Sequence, residues 1–187
     1  MTQAKVAFLD RDGVINVDHD YVHTVEAFHF IDGALSACAD LVRAGYRLII
    51  VTNQSGIGRG YYSEEDFHHL CDWMKGEFEK AQAPITHIYF CPHHPQKALE
   101  PYRMLCNCRK PAPGMLLQAA RDYDINMGES FMVGDKASDM SAARAAGVPR
   151  RILVGRDALE TPMLLGDATD VARSLREAVN LILGETP

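Results

Sequence analysis

Five short, mostly apolar runs divide this chain, and each is separated from the next by a stretch with the spacing of an amphipathic helix. A run that is apolar at successive positions, rather than at alternate ones, is typical of a strand buried on both faces. Strands of this kind that alternate with helices predict a three-layer, Rossmann-like α/β fold, with a mainly parallel central sheet and helices on both faces. The runs cover residues 6–9, 48–51, 87–90, 130–133 and 151–154.

The predicted helices lie between these strands and carry recognisable end signals. Ser63 followed by Asp66 indicates the start of a long helix. Pro111 and Pro113 introduce another, because proline is tolerated at the beginning of a helix. We expect helices at residues 35–42, 63–81, 115–120, 138–146 and 171–183.

One connection is too long for a simple turn. Residues 91–109 are rich in proline and have almost no apolar periodicity, and long irregular loops in compact domains are usually functional. The chain has no internal repeat and no composition shift that would mark a boundary. We therefore predict one domain over residues 1–187 that includes this loop.

The charge balance and the distribution of apolar residues argue against several classes of protein. The chain of 187 residues has 19 Lys and Arg against 25 Asp and Glu, which gives a net charge of -6. This charge disfavours sequence-independent binding of nucleic acid, which usually requires a basic surface. Its apolar stretches fall short of the roughly 18 residues that a membrane span needs. Its beginning does not resemble a secretory signal. These features predict a cytoplasmic protein with no membrane partner, and its lone cysteines Cys38 and Cys71 are expected to pack as small core residues.

Polar side chains follow three of the predicted strands at the point where each strand ends. In open α/β sheets, ligands bind beyond the carboxyl ends of the strands, so these side chains should meet at one rim. Lys110, just before a predicted helix, should join them. The residues at the strand ends are Asp10, Arg11 and Asp12 after the first strand, Thr52, Asn53, Gln54 and Ser55 after the second, and Asp135 and Lys136 after the fourth.

Three carboxylates, a hydroxyl and a lysine at one rim suit phosphoryl transfer through a covalent aspartyl intermediate. A carboxylate can attack phosphorus, and Mg²⁺ held by carboxylates would offset the repulsion between the two anions. Asp12, two residues from Asp10, could act as general acid and then as general base. Lys110 and the Thr52 hydroxyl would stabilise charge on the transferring group. Each motif alone is also compatible with simple turn chemistry.

A second cluster of chemistry-bearing residues lies in the long loop. Cys91 and a nearby histidine, His93 or His94, precede Cys106 and Cys108. Three thiolates and one imidazole form a ligand set for tetrahedral zinc, and four protein ligands leave no open position, so such a zinc would be structural. The alternative is a set of reduced thiols with surface histidines.

Four other charged residues are open to more than one interpretation. Arg59 could contact substrate or lie on a solvated loop, and Lys136 is a candidate for the phosphate side of the site. Asp139 could support the other acids or cap a helix; we favour support. In an extended chain Arg11 would point away from Asp10 and Asp12, which favours a structural role for its side chain.

The segments FLDRDGVINVD, VTNQSGIGRG, CRKPAPGM and MVGDKASDM resemble the four motifs of the haloacid dehalogenase-like phosphatases. The likeness is greatest to the branch that contains heptose bisphosphate and histidinol phosphate phosphatases, and it covers nearly the whole chain. It implies that Asp10 is the nucleophile and Asp12 the general acid/base. It also implies a Mg²⁺ site made of Asp10, Asp135 and the Asp12 backbone carbonyl. The chain has no room for a large cap domain between the first and second motifs, and none after the second beyond a helix, so we expect a minimal cap.

The resemblance also implies which residues bind the substrate and the zinc. It selects His93 over His94 as the fourth zinc ligand, and it assigns Arg109 to substrate recognition. The residues after the first motif lie where this family binds the sugar. The predicted substrate-contacting set is Asp10, Arg11, Asp12, Asp18, His19, Asp20, Tyr21, Thr52, Asn53, Gln54, Ser55, Arg109, Lys110 and Lys136.

The expected function is Mg²⁺-dependent removal of the 7-phosphate from D-glycero-D-manno-heptose 1,7-bisphosphate, a step toward ADP- or GDP-heptose for lipopolysaccharide or other surface glycan. The resemblance favours a monomer that acts on a small sugar bisphosphate. Histidinol phosphate is an alternative substrate. A polynucleotide 3′-phosphatase is disfavoured by the acidic balance. A catalytically inactive, zinc-stabilised binding module is disfavoured because it would not need two juxtaposed acids.

Overall fold

The central sheet of the computed structural model, which describes residues 3–155 and 166–184, has six strands in the order β3-β2-β1-β4-β5-β6. All five strand pairs are parallel. The predicted mainly parallel α/β fold is therefore confirmed. The strands are β1 (Val6–Leu9), β2 (Arg47–Asn53), β3 (Ile85–Cys91), β4 (Phe131–Gly134), β5 (Arg150–Val154) and β6 (Asp170–Ala172).

Helices cover both faces of the sheet because alternate residues of each buried strand point in opposite directions. Ala7 and Leu9 pack into one apolar layer with the helices at Ala34–Arg43, Glu64–Lys80 and Leu175–Leu183, whereas Val6 and Phe8 pack into the other with those at Gly114–Tyr123 and Ala137–Ala145. All four side chains are fully buried. The helices are α1 (Ala34–Arg43), α2 (Ser55–Gly58), α3 (Glu64–Lys80), α4 (Gly114–Tyr123), α5 (Ala137–Ala145) and α6 (Leu175–Leu183), with a 3₁₀ turn at Met127–Glu129.

The predicted start of α3 is confirmed in detail. The Ser63 hydroxyl accepts a hydrogen bond from the Asp66 N–H, and the Asp66 carboxylate accepts one from the Ser63 N–H, so two free donors at the helix start are satisfied. None of the described helices is both long enough and apolar enough to cross a bilayer.

The prediction of one helix over residues 171–183 is wrong at its beginning. Val171 and Ala172 belong to β6, which pairs with β5, and the helix begins only at Leu175. Ser174 separates the two elements, since its hydroxyl accepts the Glu177 N–H at the start of α6. The short helix α2 was not predicted, because four residues carry no periodic signal.

Candidate active site

The carboxyl ends of β1, β2 and β4 lie side by side because these strands are neighbours in the sheet. Asp10 directly follows β1, and its N–H donates to the Val133 carbonyl of β4. Lys110 reaches the same place from the loop before α4, and its ammonium donates to the Val51 carbonyl of β2 at 2.7 Å. Polar side chains from separate parts of the sequence therefore meet at one rim, as predicted.

Asp10, Asp135 and Asp139 form a tight carboxylate cluster, in which one oxygen of each lies within 4.8 Å of the others. The Lys110 Nζ lies 3.0 Å from Asp10 Oδ1 and 2.6 Å from Asp139 Oδ1. Lys110 and these two partners are nearly fully buried. With all four groups ionised, the cluster carries three negative charges and one positive charge.

The electrostatics of this cluster oppose its full ionisation. Burial is the main cause that raises the pKa of Asp10 to about 6, and it outweighs the opposing effect of Lys110. Burial and the nearby Asp10 raise the pKa of Asp135 to about 8. Burial would lower the pKa of Lys110, but Asp10 and Asp139 outweigh it and raise that pKa above its usual range. Lys110 therefore stays charged, but its single positive charge does not balance the three carboxylates when all of them are ionised.

Two glycines allow the carboxylates to approach the backbone this closely. A Cβ on Gly13, whose φ is +81°, would lie 2.4 Å from Asp135 Oδ2. A Cβ on Gly134 would lie 2.3 Å from the Cβ of Asp139. Both separations are far below van der Waals contact, so any side chain at either position would displace an acid of the cluster.

The cluster fits a divalent cation. Asp135 Oδ1 is buried and has no hydrogen-bond partner among the described residues, whereas the oxygens of Asp139 are held by Lys110 and by the Lys136 N–H. Asp10 and Asp135 thus have oxygens available to a hard cation, and carboxylate oxygens suit Mg²⁺. Asp139 both pairs with Lys110 and caps the start of α5. The two roles considered for this residue from the sequence are therefore compatible with each other.

Asp12 lies next to the cluster and has its own set of donors. Its carboxylate accepts hydrogen bonds from Arg11 Nη2 at 2.8 and 2.9 Å, Asn16 Nδ2 at 3.0 Å and Gln54 Nε2 at 3.0 Å. Burial would raise its pKa, but Arg11 and the other donors outweigh burial and hold the pKa below its usual range. Asp12 is therefore a carboxylate at neutral pH.

The expectation that Arg11 points away from both neighbouring acids is wrong. Its guanidinium is paired with Asp12, and Nη2 also donates to the Val22 carbonyl at 2.6 Å. The side chain is 0% exposed, which supports a structural role for the guanidinium rather than the substrate contact in the predicted set. Only the Arg11 backbone, whose N–H donates to Asp10 Oδ1 at 2.8 Å, lies in the rim itself.

The side chains at the carboxyl end of β2 mostly form hydrogen bonds with other residues of the site. Gln54 Nε2 donates to the buried Thr52 hydroxyl at 2.8 Å as well as to Asp12. The Asn53 amide bonds the Lys110 backbone in both directions, at 3.0 and 3.1 Å, and so fixes the segment that carries the lysine. Ser55, the first residue of α2, lines the open cavity in front of this group.

That cavity has a volume of about 480 Å³ and a wall rich in charge. Three cations outside the buried cluster line it: Arg59, Arg109 and Lys136. Asp18, Asp20 and Tyr21 also line it, and the Arg59 guanidinium lies 5.4 Å from the centre of the Tyr21 ring. His19 is not part of the described wall; its ring packs edge-on against His29.

The predicted zinc ligands come together beside the cavity. Cys91, His93, Cys106 and Cys108 place one donor atom each within 4.8 Å of the others. Sulfur–sulfur separations are 3.2–3.6 Å, and Cys108 Sγ lies 3.4 Å from His93 Nδ1. A tetrahedral zinc with Zn–S near 2.3 Å and Zn–N near 2.05 Å implies about 3.8 Å between two sulfurs and about 3.6 Å between sulfur and nitrogen. The four donor atoms are therefore grouped as zinc requires, although the sulfurs lie up to about 0.6 Å closer together than around a bound ion.

The two adjacent histidines have different surroundings. His94 Nδ1 accepts the N–H groups of Gln96 and Lys97 within a turn, which ties this ring to its own loop. The His93 carbonyl accepts a hydrogen bond from Arg109 Nη1 at 3.2 Å. The cysteine and histidine cluster is therefore linked directly to a cation of the cavity wall.

Two residues of the site were missed from the sequence. Asn16 donates to Asp12 from a turn, and Tyr62 donates from its hydroxyl to Gln54 Oε1 at 2.5 Å. Asn16 lies within the first motif segment and Tyr62 just beyond the second, but neither residue type signals a contact with the acids, which only the fold reveals.

Several of the known proteins that are similar to this chain are heptose bisphosphate phosphatases. The HAD-hydrolase-like family model matches residues 107–178. The D-glycero-beta-D-manno-heptose-1,7-bisphosphate 7-phosphatase of Salmonella typhi is 52% identical over 147 residues, which make up 79% of this chain and 78% of that protein. The D-glycero-alpha-D-manno-heptose-1,7-bisphosphate 7-phosphatase of Burkholderia mallei is 46% identical over 184 residues, 98% of this chain and 96% of that protein.

The fold also matches a solved structure over nearly its full length. The crystal structure of D,D-heptose 1,7-bisphosphate phosphatase from B. bronchiseptica, complexed with magnesium and phosphate, has a TM-score of 0.84 and 33% sequence identity. The match covers 97% of this chain and 99% of that one.

Proposed function

Because the chain belongs to the D-glycero-D-manno-heptose-1,7-bisphosphate 7-phosphatases of the haloacid dehalogenase-like hydrolases, we propose that it removes the 7-phosphate of this sugar bisphosphate. The strongest support in the molecule is the buried cluster in which Asp10 contacts Lys110 and lies beside an Asp135 oxygen that none of the described residues hydrogen-bonds. A nucleophilic carboxylate needs such a combination of anchor, counter-charge and cation site in order to approach a phosphate.

In the proposed first step, an Asp10 carboxylate oxygen attacks phosphorus. The reacting form is the one in which Asp12 has first taken up a proton from solvent. The bond between phosphorus and sugar oxygen 7 breaks, and the departing oxygen takes this proton from Asp12, which yields heptose 1-phosphate. Lys110 and the Thr52 hydroxyl hold the charge that spreads over the transferring group. Mg²⁺ at Asp10 and Asp135 would supply neutralisation of the phosphate charge.

In the second step, Asp12 accepts a proton from water as the water oxygen attacks phosphorus. The bond between phosphorus and Asp10 then breaks, which releases inorganic phosphate and restores the carboxylate. Asp12 enters this step as the carboxylate that the first step leaves, and its lowered pKa keeps it ionised until it takes the proton from water. The Gln54 and Asn16 amides orient the same carboxylate.

The distal phosphate needs local positive charge, since the whole chain carries a net charge of -6. Arg59, Arg109 and Lys136 line the cavity in front of the acids and are the candidates for this contact. We assign Arg109 the leading role because the His93 carbonyl fixes its guanidinium. In line with the resemblance to this family, we propose that a single domain acts as a monomer in the cytoplasm.

A panel of phosphate esters tests the substrate assignment. With Mg²⁺, phosphate release from the α or β anomer of heptose 1,7-bisphosphate should exceed release from histidinol phosphate and from a 3′-phosphorylated oligonucleotide by at least about 10²-fold in kcat/KM. Histidinol phosphate has no second anion for the cations of the cavity, and the net charge of -6 disfavours binding of the polyanionic oligonucleotide. Equal or faster turnover of histidinol phosphate would contradict the proposed substrate.

We further propose that the four-ligand cluster holds a structural zinc that positions Arg109. Purified protein should contain about one zinc per chain. In Cys106→Ser the zinc should be lost and KM for the bisphosphate should rise about tenfold. The kcat should change less, since Lys110 is anchored independently by Asp10 and Asp139.

The control for this variant is Cys38→Ala, which removes a buried cysteine far along the chain from the cluster. It should keep both the zinc and the wild-type KM, even if it lowers the melting temperature. Metal analysis and steady-state kinetics on both variants make the comparison. A zinc-free Cys106→Ser with an unchanged KM would disprove the positioning of Arg109 by zinc.

A further inference from the structure

Tyr62 stands at the end of a short chain of hydrogen bonds that reaches two side chains of the reaction. Its hydroxyl donates to Gln54 Oε1 at 2.5 Å, and Gln54 Nε2 donates both to Asp12 Oδ2 at 3.0 Å and to Thr52 Oγ1 at 2.8 Å. One amide thus connects the loop after β1 with the end of β2. Tyr62 makes its contact from the segment between α2 and α3, outside every sequence motif of the site.

The orientation of the Gln54 amide is fixed by its surroundings. Asp12 is a carboxylate and can only accept, so the amide must present Nε2 to it and Oε1 to Tyr62. Gln54 is 2% exposed, so water cannot easily replace a lost donor. Without the Tyr62 hydroxyl, Oε1 would be buried and unpaired, and the amide would gain by rotating away from Asp12.

The tyrosine ring is itself held in place, as a positioning group must be. A Cβ on Gly56 would lie 2.2 Å from the ring, so the backbone of α2 packs directly against it. The His23 ring stacks on it, with centres 4.7 Å apart and planes 4° from parallel. His23 in turn bonds through Nδ1 to the carbonyl of Tyr21, which lines the cavity.

We propose that Tyr62 is a positioning residue that acts through Gln54 to aim Asp12 at the leaving oxygen. This inference rests on the proposed phosphatase function, because it concerns the proton that Asp12 delivers in the first step. Asp12 has other donors, Arg11 and Asn16, but both come from its own loop. Gln54 is the donor that ties Asp12 to the β2 end, where Thr52 contacts the phosphoryl group.

The choice of leaving group separates this role from a general effect on folding or phosphate binding. Phenolate needs a proton as it leaves, whereas 4-nitrophenolate is stable enough to leave without one. If Asp12 is no longer oriented toward the leaving oxygen, hydrolysis of phenyl phosphate should therefore slow more than hydrolysis of 4-nitrophenyl phosphate. Any disturbance of Thr52 would slow both esters equally, since both transfer the same phosphoryl group.

The test compares Tyr62→Phe with wild type on both aryl esters. The kcat/KM for phenyl phosphate should fall about tenfold, part of the roughly 10²–10⁴-fold that a general acid contributes, while that for 4-nitrophenyl phosphate falls less than about twofold. In a Gln54→Met background, where the connection is already broken, Tyr62→Phe should cause no further loss of activity toward phenyl phosphate.

Tyr89→Phe is the matched control, since it also removes one hydroxyl of a buried tyrosine, here bonded to Asp122 at 2.6 Å. It should leave the ratio between the two esters unchanged. Equal losses on both esters in Tyr62→Phe, or a further loss in the Gln54→Met background, would overturn the role of Tyr62. A wild-type protein inactive toward the bisphosphate and both aryl esters would instead overturn the proposed function, and this role with it.

Discussion

Asp10→Asn should lower phosphate release from heptose 1,7-bisphosphate by about 10⁴-fold or more, because a carboxamide cannot form the acyl phosphate. The substitution is nearly isosteric and leaves the zinc ligands in place, so zinc content and secondary structure should be unchanged. Stopped single-turnover reactions analysed by mass spectrometry should reveal a phosphate adduct on Asp10 in wild type. Wild-type turnover in Asp10→Asn would disprove the assignment of the nucleophile.

The same substitution should stabilise the protein when Mg²⁺ is absent. Folding raises the pKa of Asp10 to about 6 from an ordinary value of 3.8, so between these values the folded state binds more protons than the unfolded state. Stability should therefore fall as pH rises through this window, and further toward pH 8 as Asp135 ionises. Asparagine removes one of the uncompensated charges, while Lys110 keeps its pair with Asp139.

Melting temperatures at pH 5 and pH 8, with and without millimolar Mg²⁺, test this sign. Without Mg²⁺, Asp10→Asn should melt above wild type at pH 8 and close to it at pH 5. Added Mg²⁺ should stabilise wild type more than the variant. Asp12→Asn is the control of opposite sign, because Arg11 lowers the pKa of Asp12 and its ionised form stabilises the fold. Shifts of the same sign in both variants at pH 8 would contradict this electrostatic account.

The meeting of the acids could be predicted because it depends on strand direction alone. Asp10, Thr52 and Asp135 each lie at or after the carboxyl end of a buried strand, and in a parallel sheet those ends share one edge. The strand order could not be derived from apolar runs, since they do not encode which strands are neighbours. The contact between Lys110 and Asp139 depends on that order and was therefore found only in the structure.

The Arg11 error has a local physical cause. The argument that it faces away from Asp10 and Asp12 assumes an extended chain, but β1 ends at Leu9. The chain then turns, and the N–H groups of Val14, Ile15 and Asn16 all donate to the Arg11 carbonyl. Alternation of side chains does not continue through a turn, so two neighbouring residues can share one pocket.

Short secondary-structure elements and single polar residues are also difficult to predict from the sequence. Val171 and Ala172 fit an amphipathic helix as well as a strand, and β6 has only three residues, too few for a periodic signal. His93 and His94 are equally suitable ligands by residue type. Only the turn that uses the His94 ring nitrogen, together with the cysteine geometry around His93, distinguishes them in space.

Lys110→Met should lower both the stability of the protein and its kcat. Its ammonium is buried between Asp10 and Asp139, so its removal leaves two buried carboxylates without their partner, at a cost of about 3–5 kcal/mol in the free energy of unfolding. The kcat should fall about 10²–10³-fold, since a preorganised cation at the transferring phosphoryl group is lost. Denaturant unfolding and phosphate release measure the two effects separately.

Two further variants separate the structural role of Lys110 from the catalytic one. Lys136→Met removes a half-exposed cation 3.8 Å from Asp135, so it should leave stability nearly unchanged and act mainly on KM. Adding Asp139→Asn to Lys110→Met removes one of the two stranded carboxylates and should recover a large part of the lost stability without restoring kcat. If activity returned with stability, Lys110 would matter only for the fold. Continued loss of kcat in a restabilised protein instead requires the ammonium at the phosphoryl group itself.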